Sequence, residues 1–349
     1  MLKISILINR ERGVKMPSFS YLVRRARKMD YGAMMRTANM LHEKTGKSRA
    51  WLLADMMKCA IRYNAGYVDY KIAEMYRLND AQRKTQITRG ISNSIVSRMN
   101  DKEYWHFFDN KCEFNTLFHD QVCREWIDLT SCSEAEFAAF LENRGDVICK
   151  PIDGSSGQGI LKCTKEEYAD PAALYKRLKA AGIGIVEDKV IQHPAISALC
   201  PTSVNTIRVA TLLGDKKEGI VYAYIRIGNG KVMDNVDCGG MAAPVDLETG
   251  VISGVGATKS GDVFEVHPMT GTRIPGTQIP YWNEVREMCL SAMHVVPQVR
   301  FVAWDVAITE AGPIFIEGNS FPSHAIPQFA AHFPDGIGIL PRFQEFIDL

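Results

Sequence analysis

Asp305 and Glu317 lie in the two β-rich runs of "RFVAWDVAITEAGPIFIEGNS", on either side of the turn signal Glu310-Ala311-Gly312-Pro313. A hairpin folded about Ala311 sets Asp305 opposite Glu317, and directly opposed side chains share one face. The two-residue period of a strand brings Asn319 to that face beside Glu317. Two carboxylates and an amide oxygen then converge within otherwise apolar strands. Like charges opposed on a sheet are costly, so a positive group belongs between them. Hard oxygen donors without His or Cys suit Mg2+ or Mn2+. The plainer alternative is an acidic strand pair open to solvent, its charges held apart.

A second stretch with chemical content is "VICKPIDGSSGQGIL", residues 147–161. Gly154 and Gly159 match the glycine spacing of the phosphate loop GxxxxGK[ST], but Ile160 and Leu161 stand where Lys and Ser or Thr are required. The dinucleotide pattern GxGxxG fails too, because Lys162 replaces its third glycine. Both motifs also open a helix, whereas "ILKC" reads as a strand. The local expectation is therefore a strand–Gly/Ser loop–strand hairpin. Free N–H groups of such a loop can wrap phosphate oxygens, and Lys150 adds a point charge at the strand end. A divalent cation bridging the phosphates completes a nucleoside triphosphate site. An ordinary glycine-rich turn is the competing reading of the loop taken alone.

The elements that must position these residues change character along the chain. From about Ser18 to Asn100 the pattern is helical, with no strand candidate. Ser48 is the expected N-cap of "RAWLLADMMKCAIRYNAG", which sets Leu52, Met56, Ala60 and Tyr63 on one face. Asp80 is expected to cap a further helix in which Ile87, Ile91 and Ile95 recur. "WHFFDNKCEFNTLF" follows as a less periodic connection. Beyond it, Ser133 and Glu136 have capping-box spacing, a strand covers 146–150, and Asp170-Pro171 opens a helix closing at Gly182. Strands are expected at 184–191, 204–213 and 219–228, short strands in the loop-rich segment after them, and a helix near 282–294.

A chain of 349 residues suits two or three units. Its 46% hydrophobic and 23% charged residues are ordinary for a soluble globular protein, and no uncharged apolar run approaches a membrane span. The nine cysteines are scattered without a CxxC, which argues against zinc or a disulfide framework and for reduced thiols in a cytoplasm. A net charge of +1 excludes a general polyanion binder, so no nucleic-acid partner is expected. Residues 1–50 nevertheless hold 12 Lys/Arg against 3 Asp/Glu. This is either a solvated basic helix face or a patch for peripheral contact with anionic lipid or an acidic glycan. The apolar start lacks a small-residue cleavage site and is not read as a signal peptide. Met16 is an alternative start, because Arg10 to Val14 can be encoded by the purine-rich run of a ribosome-binding site.

In this order, "KPIDGSSGQGI", "NTIRVATL", "DNVDCGG" and "WDVAIT…FIEGNS" resemble the ATP-grasp superfamily, which includes D-alanine–D-alanine ligase and glutathione synthetase. "YVDYKIAEMYRLNDAQRKTQITR" and "HPMTGTRIPGTQIP" narrow the resemblance to the sugar-transfer-associated ATP-grasp group, over roughly residues 50–340. The resemblance implies an α+β chain: a helical N-terminal domain (1–105) before an ATP-grasp domain (106–349), whose subdomains 106–190 and 191–349 grip the nucleotide. It implies ATP with Mg2+ (or Mn2+), and gives Lys111 and Lys150 as the nucleotide lysines. Ser155, Ser156 and Gly157 would close over the β- and γ-phosphates. Glu187 would open the hinge at the adenine amino group, with recognition by the backbone of Asp188 and Val190. Arg208 would contact the γ-phosphate, while Asp305, Glu317 and Asn319 would hold the metal. One departure is that Gln192 and His193 stand where an acidic residue often meets the ribose.

Arg226 either lines an acyl-phosphate pocket or is a strand arginine at the surface. Asn235, Gly239 and Gly240 of the "NVDCGG" loop are substrate candidates, though the glycines equally suit a turn. Cys238 has no motif partner that would make it a nucleophile. His267 either contacts substrate or orders a loop. The activity implied is an ATP-dependent carboxylate–amine ligase working through an acyl phosphate, on small-molecule or glycan-linked substrates of surface-polysaccharide or amino-acid/sugar-acid conjugate synthesis. A kinase acting on a hydroxyl, and a non-catalytic nucleotide-binding module of a glycan-synthesis complex, are the alternatives. Neither the substrates nor the oligomeric state is legible.

Overall fold

The computed structural model describes residues 30–154, 159–230, 234–236 and 239–349. Most of the basic 1–50 segment, the alternative start at Met16, Ser155, Ser156, Gly157 and Cys238 lie outside the described residues. The chain is α+β, with a helical N-terminal region preceding two antiparallel sheets. Among the described residues no helix is long and apolar enough to cross a membrane, and the eight described cysteines are free.

The helical region opens with Tyr31–Thr45 and Arg49–Tyr63. Ser48 caps the second helix, accepting from the Trp51 N–H at 3.3 Å. Its inward face carries Leu52, Met56 and Cys59 into a small core with Leu41, Tyr70 and Met75. Ala60 does not share that core; Asp55 takes an inward position, where Arg83 grips it bidentately (2.9 and 2.7 Å) and Tyr70 donates to it (2.8 Å). The single helix expected from Asp80 is instead two, Asp80–Arg83 and Arg89–Met99, with Asn79 as the cap. Gln328 sits at the break. Its amide oxygen accepts the Ile87 N–H at 3.1 Å and its amide nitrogen donates to the Ile87 carbonyl, so both backbone groups of Ile87 are engaged outside a helix.

The smaller sheet has the order β1–β4–β2–β3, formed by Trp126–Asp128, Ile185–Asp188, Val147–Lys150 and Leu161–Cys163. Helices Glu134–Leu141 and Pro171–Ala180 cover one face, burying Phe137, Leu141, Leu174 and Leu178 against Val147, Cys149 and Val186. The Ser133–Glu136 capping box starts the first of these helices. Because strand side chains alternate, Lys150 and Glu187 fall on the opposite face.

The larger sheet is seven-stranded. The strands are β5 (Ile207–Leu213), β6 (Glu218–Ile227), β7 (Met241–Pro244), β8 (Gly256–Ala257), β9 (Val263–Phe264), β10 (Phe301–Thr309) and β11 (Gly312–Asn319), in the order β11–β10–β5–β6–β7–β8–β9. Both faces are buried, which explains the nearly unbroken apolar runs of β5, β6 and β10. On one face Val209, Ile225, Trp304 and Val306 pack under Trp282–Ala292. The other carries Leu212, Tyr222 and Phe301, then turns charged at one end. There the same alternation delivers Arg208, Arg226 and Asp305.

Candidate functional site

The β10–β11 hairpin places Asp305 opposite Glu317, as expected, but by a different route. Thr309 pairs with Gly312, so the chain turns at Glu310 and Ala311, and that register alone would set Asp305 against Ile316. A bulge at Ile316 makes up the difference. Trp304 anchors the hairpin from below. It stacks on Phe315 with 4.8 Å between ring centroids and donates its indole N–H to Thr211 at 2.9 Å. Gly318 separates the two outer site residues because a Cβ there would lie 2.8 Å from the Phe108 ring.

The positive group between the carboxylates is protein-borne. Arg208 lies across from Asp305 on β5 and holds it with two hydrogen bonds of 2.6 Å, while its Nη2 is 3.8 Å from Glu317 Oε1. Arg226 donates to Asp305 at 2.8 Å and to the Thr206 hydroxyl at 2.9 and 2.7 Å. Asp234 stands behind, 3.3 Å from Arg226 Nε and accepting from the Thr206 N–H at 2.9 Å. Asp305 is fully buried. Burial opposes its charge, yet Arg208 and Arg226 hold its carboxyl at about 2. Glu317 goes the other way, pushed up by burial and by Asp305 beside it.

The donor set fits a hard divalent cation. Asn319 gives its amide nitrogen to the Ala303 carbonyl at 3.3 Å, which leaves the amide oxygen as its ligand atom. Asp305 accepts three bonds from the arginines, is fully buried and does not itself line the cleft, so Glu317 and Asn319 are the donors of the set that reach it. Glu317 and Asn319 are partly exposed. Among the described residues no three His, Cys, Asp or Glu form a closed cage. An open set of two carboxylates and an amide suits Mg2+, which usually keeps waters or substrate phosphates as its other ligands.

Facing this cluster across a cleft of about 700 Å³ are Lys150 of the smaller sheet and Lys111, which opens the helix Lys111–Leu117. Lys150 forms an ion pair with Glu187, which Arg124 contacts from the other side at 2.9 Å. Burial works against the Glu187 charge, but Arg124 and Lys150 bring its carboxyl down to about 2. The Glu187 side chain is thus committed to orienting Lys150. Lys111 donates its ammonium to the carbonyls of Ile152 (3.1 Å) and Gly154 (3.2 Å), at the start of the glycine-rich loop. Gly154 has φ 121°, a conformation that favours glycine. β2 and β3 pair on either side of that loop, as the hairpin reading expects.

At the expected hinge, the Asp188 carboxylate pairs with Arg144 (2.8 and 2.7 Å) and its N–H goes to the Glu125 carbonyl at 3.0 Å. Val190 lines the cleft, and its backbone has no hydrogen-bond partner among the described residues. The Gln192 side chain is engaged with Ser203 at 2.6 Å and Asn205 at 3.0 Å. Arg208, Arg226, Asn235, Glu317 and Asn319 also line the cleft, whereas Gly239, Gly240 and His267 do not. The imidazole of His267 is fully buried. One nitrogen meets the Gly228 carbonyl at 2.8 Å and the other accepts from the Met269 N–H at 3.3 Å. His267 orders a loop.

Arg124 and Asp234 were not among the residues the sequence singled out. Arg124 donates to the Phe315 carbonyl at 2.5 Å as well as to Glu187, tying the smaller sheet to the hairpin of the larger. Its sequence context, "CREWID", carries no pattern that marks this role. Asp234 opens "DNVDCGG", where the motif drew notice but this residue did not.

Among curated proteins, a stretch of 126 residues is 29% identical to a glutathione synthetase of Neisseria meningitidis serogroup A, covering 34% of this chain and 34% of that protein. The match thus spans about a third of that relative's length. The solved structure of the D-cycloserine synthetase DcsG aligns over 81% of this chain and 95% of its own, at 13% identity and a TM-score of 0.44. That of the ATP-grasp ligase PsnB, complexed with precursor peptide PsnA2 and AMPPNP, aligns over 73% and 70%, at 13% identity and a TM-score of 0.42. A family model described as sugar-transfer associated ATP-grasp matches residues 91–346, which takes in both sheets and every described residue placed around the cleft. This chain therefore belongs to the sugar-transfer-associated ATP-grasp family.

Proposed function

We propose that this protein is an ATP-dependent ligase that joins a carboxylate to an amine through an acyl phosphate. Its substrates are a small or glycan-linked acid and an amine of surface-polysaccharide or amino-acid/sugar-acid conjugate synthesis. The observation that supports this most is the opposition across one cleft of Lys111 and Lys150 on one side with Arg208, Arg226, Glu317 and Asn319 on the other. A nucleoside triphosphate needs cations for its phosphates and oxygen donors for its metal, and both sets are here.

A bound Mg2+ would supply charge stabilisation at the phosphate oxygens, with Glu317 and Asn319, and Asp305 behind them, as the residues that would hold it. Lys150, fixed by Glu187, binds phosphate as a preorganised charge. The guanidinium of Arg208 is already locked by Asp305, so it stabilises developing charge with little reorganisation. Arg226, backed by Thr206 and Asp234, extends the positive surface toward Asn235 and the incoming acid. The glycine-rich segment, Ser155, Ser156 and Gly157 included, shields the activated acid from water.

The test is a phosphate-release screen with ATP and Mg2+, pairing pools of amino acids and sugar acids with pools of amines, with Glu317→Ala as control. Release that needs one acid and one amine and vanishes in Glu317→Ala is the expected result. A phosphorylated acceptor formed without free phosphate would replace the ligase reading with a kinase.

A further inference from the structure

The helix Arg49–Tyr63 is apolar on two faces, and the fold buries only one of them. Leu52, Met56 and Cys59 point into the helical core. The helical period sets Ala50, Ala54, Met57 and Ile61 in a second row on the opposite side. All four are exposed, Met57 to 40% and Ile61 to 55%. Leu53 and Ala60, half-buried, border the row, so Ala60 belongs here rather than to the core face expected of it. Trp51 is also exposed, on one flank of the row.

The flanks are cationic. Arg49, Lys58 and Arg62 are the charges this helix shows to solvent, and its one carboxylate, Asp55, is turned inward to Arg83. Lys58 and Arg62 share the flank of Trp51, and Lys47 lies over the Trp51 ring, 4.5 Å from its centroid. Asp80, from outside the helix, meets both Lys58 (3.6 Å) and Arg62 (2.7 Å). A single carboxylate against these cations leaves the flank net positive. This end of the chain is basic as a whole, with 12 Lys/Arg against 3 Asp/Glu in residues 1–50 of a protein whose net charge is +1.

Those charges select the occupant of the row. A second copy would set two net positive surfaces against each other. Residues 1–29 hold eight Lys/Arg and one Asp/Glu, so that stretch is repelled in the same way. An anionic lipid surface offers what both lack, negative headgroups for the flanks and an acyl boundary for the row. We propose that the outer face of the Arg49–Tyr63 helix docks on anionic membrane lipid. Met57 and Ile61 enter the boundary between headgroups and acyl chains, with Trp51 beside them, while Arg49, Lys58 and Arg62 meet the lipid phosphates. The docking is peripheral and independent of the reaction in the cleft.

Co-sedimentation of the full chain with vesicles tests this, using phosphatidylcholine alone and phosphatidylcholine mixed in equal parts with phosphatidylglycerol, at low and high ionic strength. Met57→Gln with Ile61→Gln removes the apolar row without changing the charge, and Ile61→Gln alone is the milder form. Val295→Gln, at a valine 44% exposed elsewhere on the surface, is the control, with melting temperature as the check on folding. Wild type and Val295→Gln are expected to bind the anionic vesicles at low salt, to leave pure phosphatidylcholine unbound, and to be released as salt rises. The double variant should bind about tenfold less tightly, with Ile61→Gln between it and wild type. Absence of binding to anionic vesicles at low salt overturns the proposal, as does binding that both row variants leave unchanged, which would credit the basic charge alone. A wild-type dimer in sedimentation velocity that the double variant dissociates would overturn it in favour of a second copy.

Discussion

Arg208 and Asp305 face each other on paired strands and meet through two hydrogen bonds of 2.6 Å, Nε to Oδ1 and Nη2 to Oδ2. Asp305 has no exposed surface, so its charge persists only through these guanidinium contacts and the one from Arg226. Removing one member of a buried ion pair strands the other, at a cost of about 3–5 kcal/mol. Asp305→Ala is therefore expected to lower unfolding free energy by about that much in urea denaturation. Arg208→Lys keeps the charge and loses only the planar two-bond fork, so it should cost less, about 1–2 kcal/mol. A fully stable Arg208→Lys protein would show that the fork geometry does not matter.

Glu187 makes a pH-dependent contribution whose sign follows from its environment. Its carboxyl sits at about 2 in the folded protein, against about 4.3 for an unperturbed glutamate. A depressed carboxyl stabilises the fold above its unfolded value, and that stabilisation is lost as pH falls through the folded value. The window thus runs from about pH 4.3 down to about pH 2, and the contribution is roughly 3 kcal/mol near neutrality. Glu187→Gln should be clearly less stable than wild type at neutral pH, with the gap closing in that window. Asp305, also held at about 2, keeps its own acid limb in the variant. Urea midpoints measured at several pH values check this; a gap that stays constant with pH would refute it.

The local signals in the sequence proved the most readable. The Ser48 cap, the Ser133–Glu136 capping box and the strand–loop–strand around Gly154 each rest on neighbours within a few residues, and each forms. The opposition of Asp305 and Glu317 is readable from spacing, yet nothing in "GPIFIEGN" marks the bulge at Ile316 that the register requires. What spacing could not supply is long-range partnership. Gln328 meets Ile87 at the helix break from 241 residues away in sequence. Arg124 earns its place from Phe315, 191 residues later. The positive group that the paired carboxylates demand is Arg208, and only the pairing of β5 with β10 reveals it. His267 shows the converse, since a histidine before a proline reads the same whether it faces substrate or, as here, holds a loop.

Arg124 links the two sheets, giving one nitrogen to Glu187 and another to the Phe315 carbonyl beside the bulge. Its loss leaves Glu187 with Lys150 as the remaining cation and unties the smaller sheet from the β10–β11 hairpin. Arg124→Ala is expected to cost about 3–5 kcal/mol of stability. It should also weaken ATP binding more than Arg144→Ala, which removes the partly exposed pair with Asp188 and the contacts with Phe140. Equal nucleotide affinities in the two variants, by fluorescence titration, would leave Arg124 a purely structural role.

His267 and Lys150 separate loop ordering from nucleotide binding. His267→Ala removes a buried ring bonded to Gly228 and Met269. It leaves the Gly228 carbonyl unsatisfied, at a cost of about 1–3 kcal/mol. Because His267 does not line the cleft, ATP affinity measured well below the melting temperature should stay within about twofold of wild type, a few tenths of a kcal/mol. Lys150→Met keeps an apolar stem of similar length but removes one cleft charge and one of the two cations paired with Glu187. It should weaken ATP binding by about tenfold or more. If His267→Ala weakens nucleotide binding as much as Lys150→Met, the loop it orders acts on the nucleotide site, and its role extends beyond the fold.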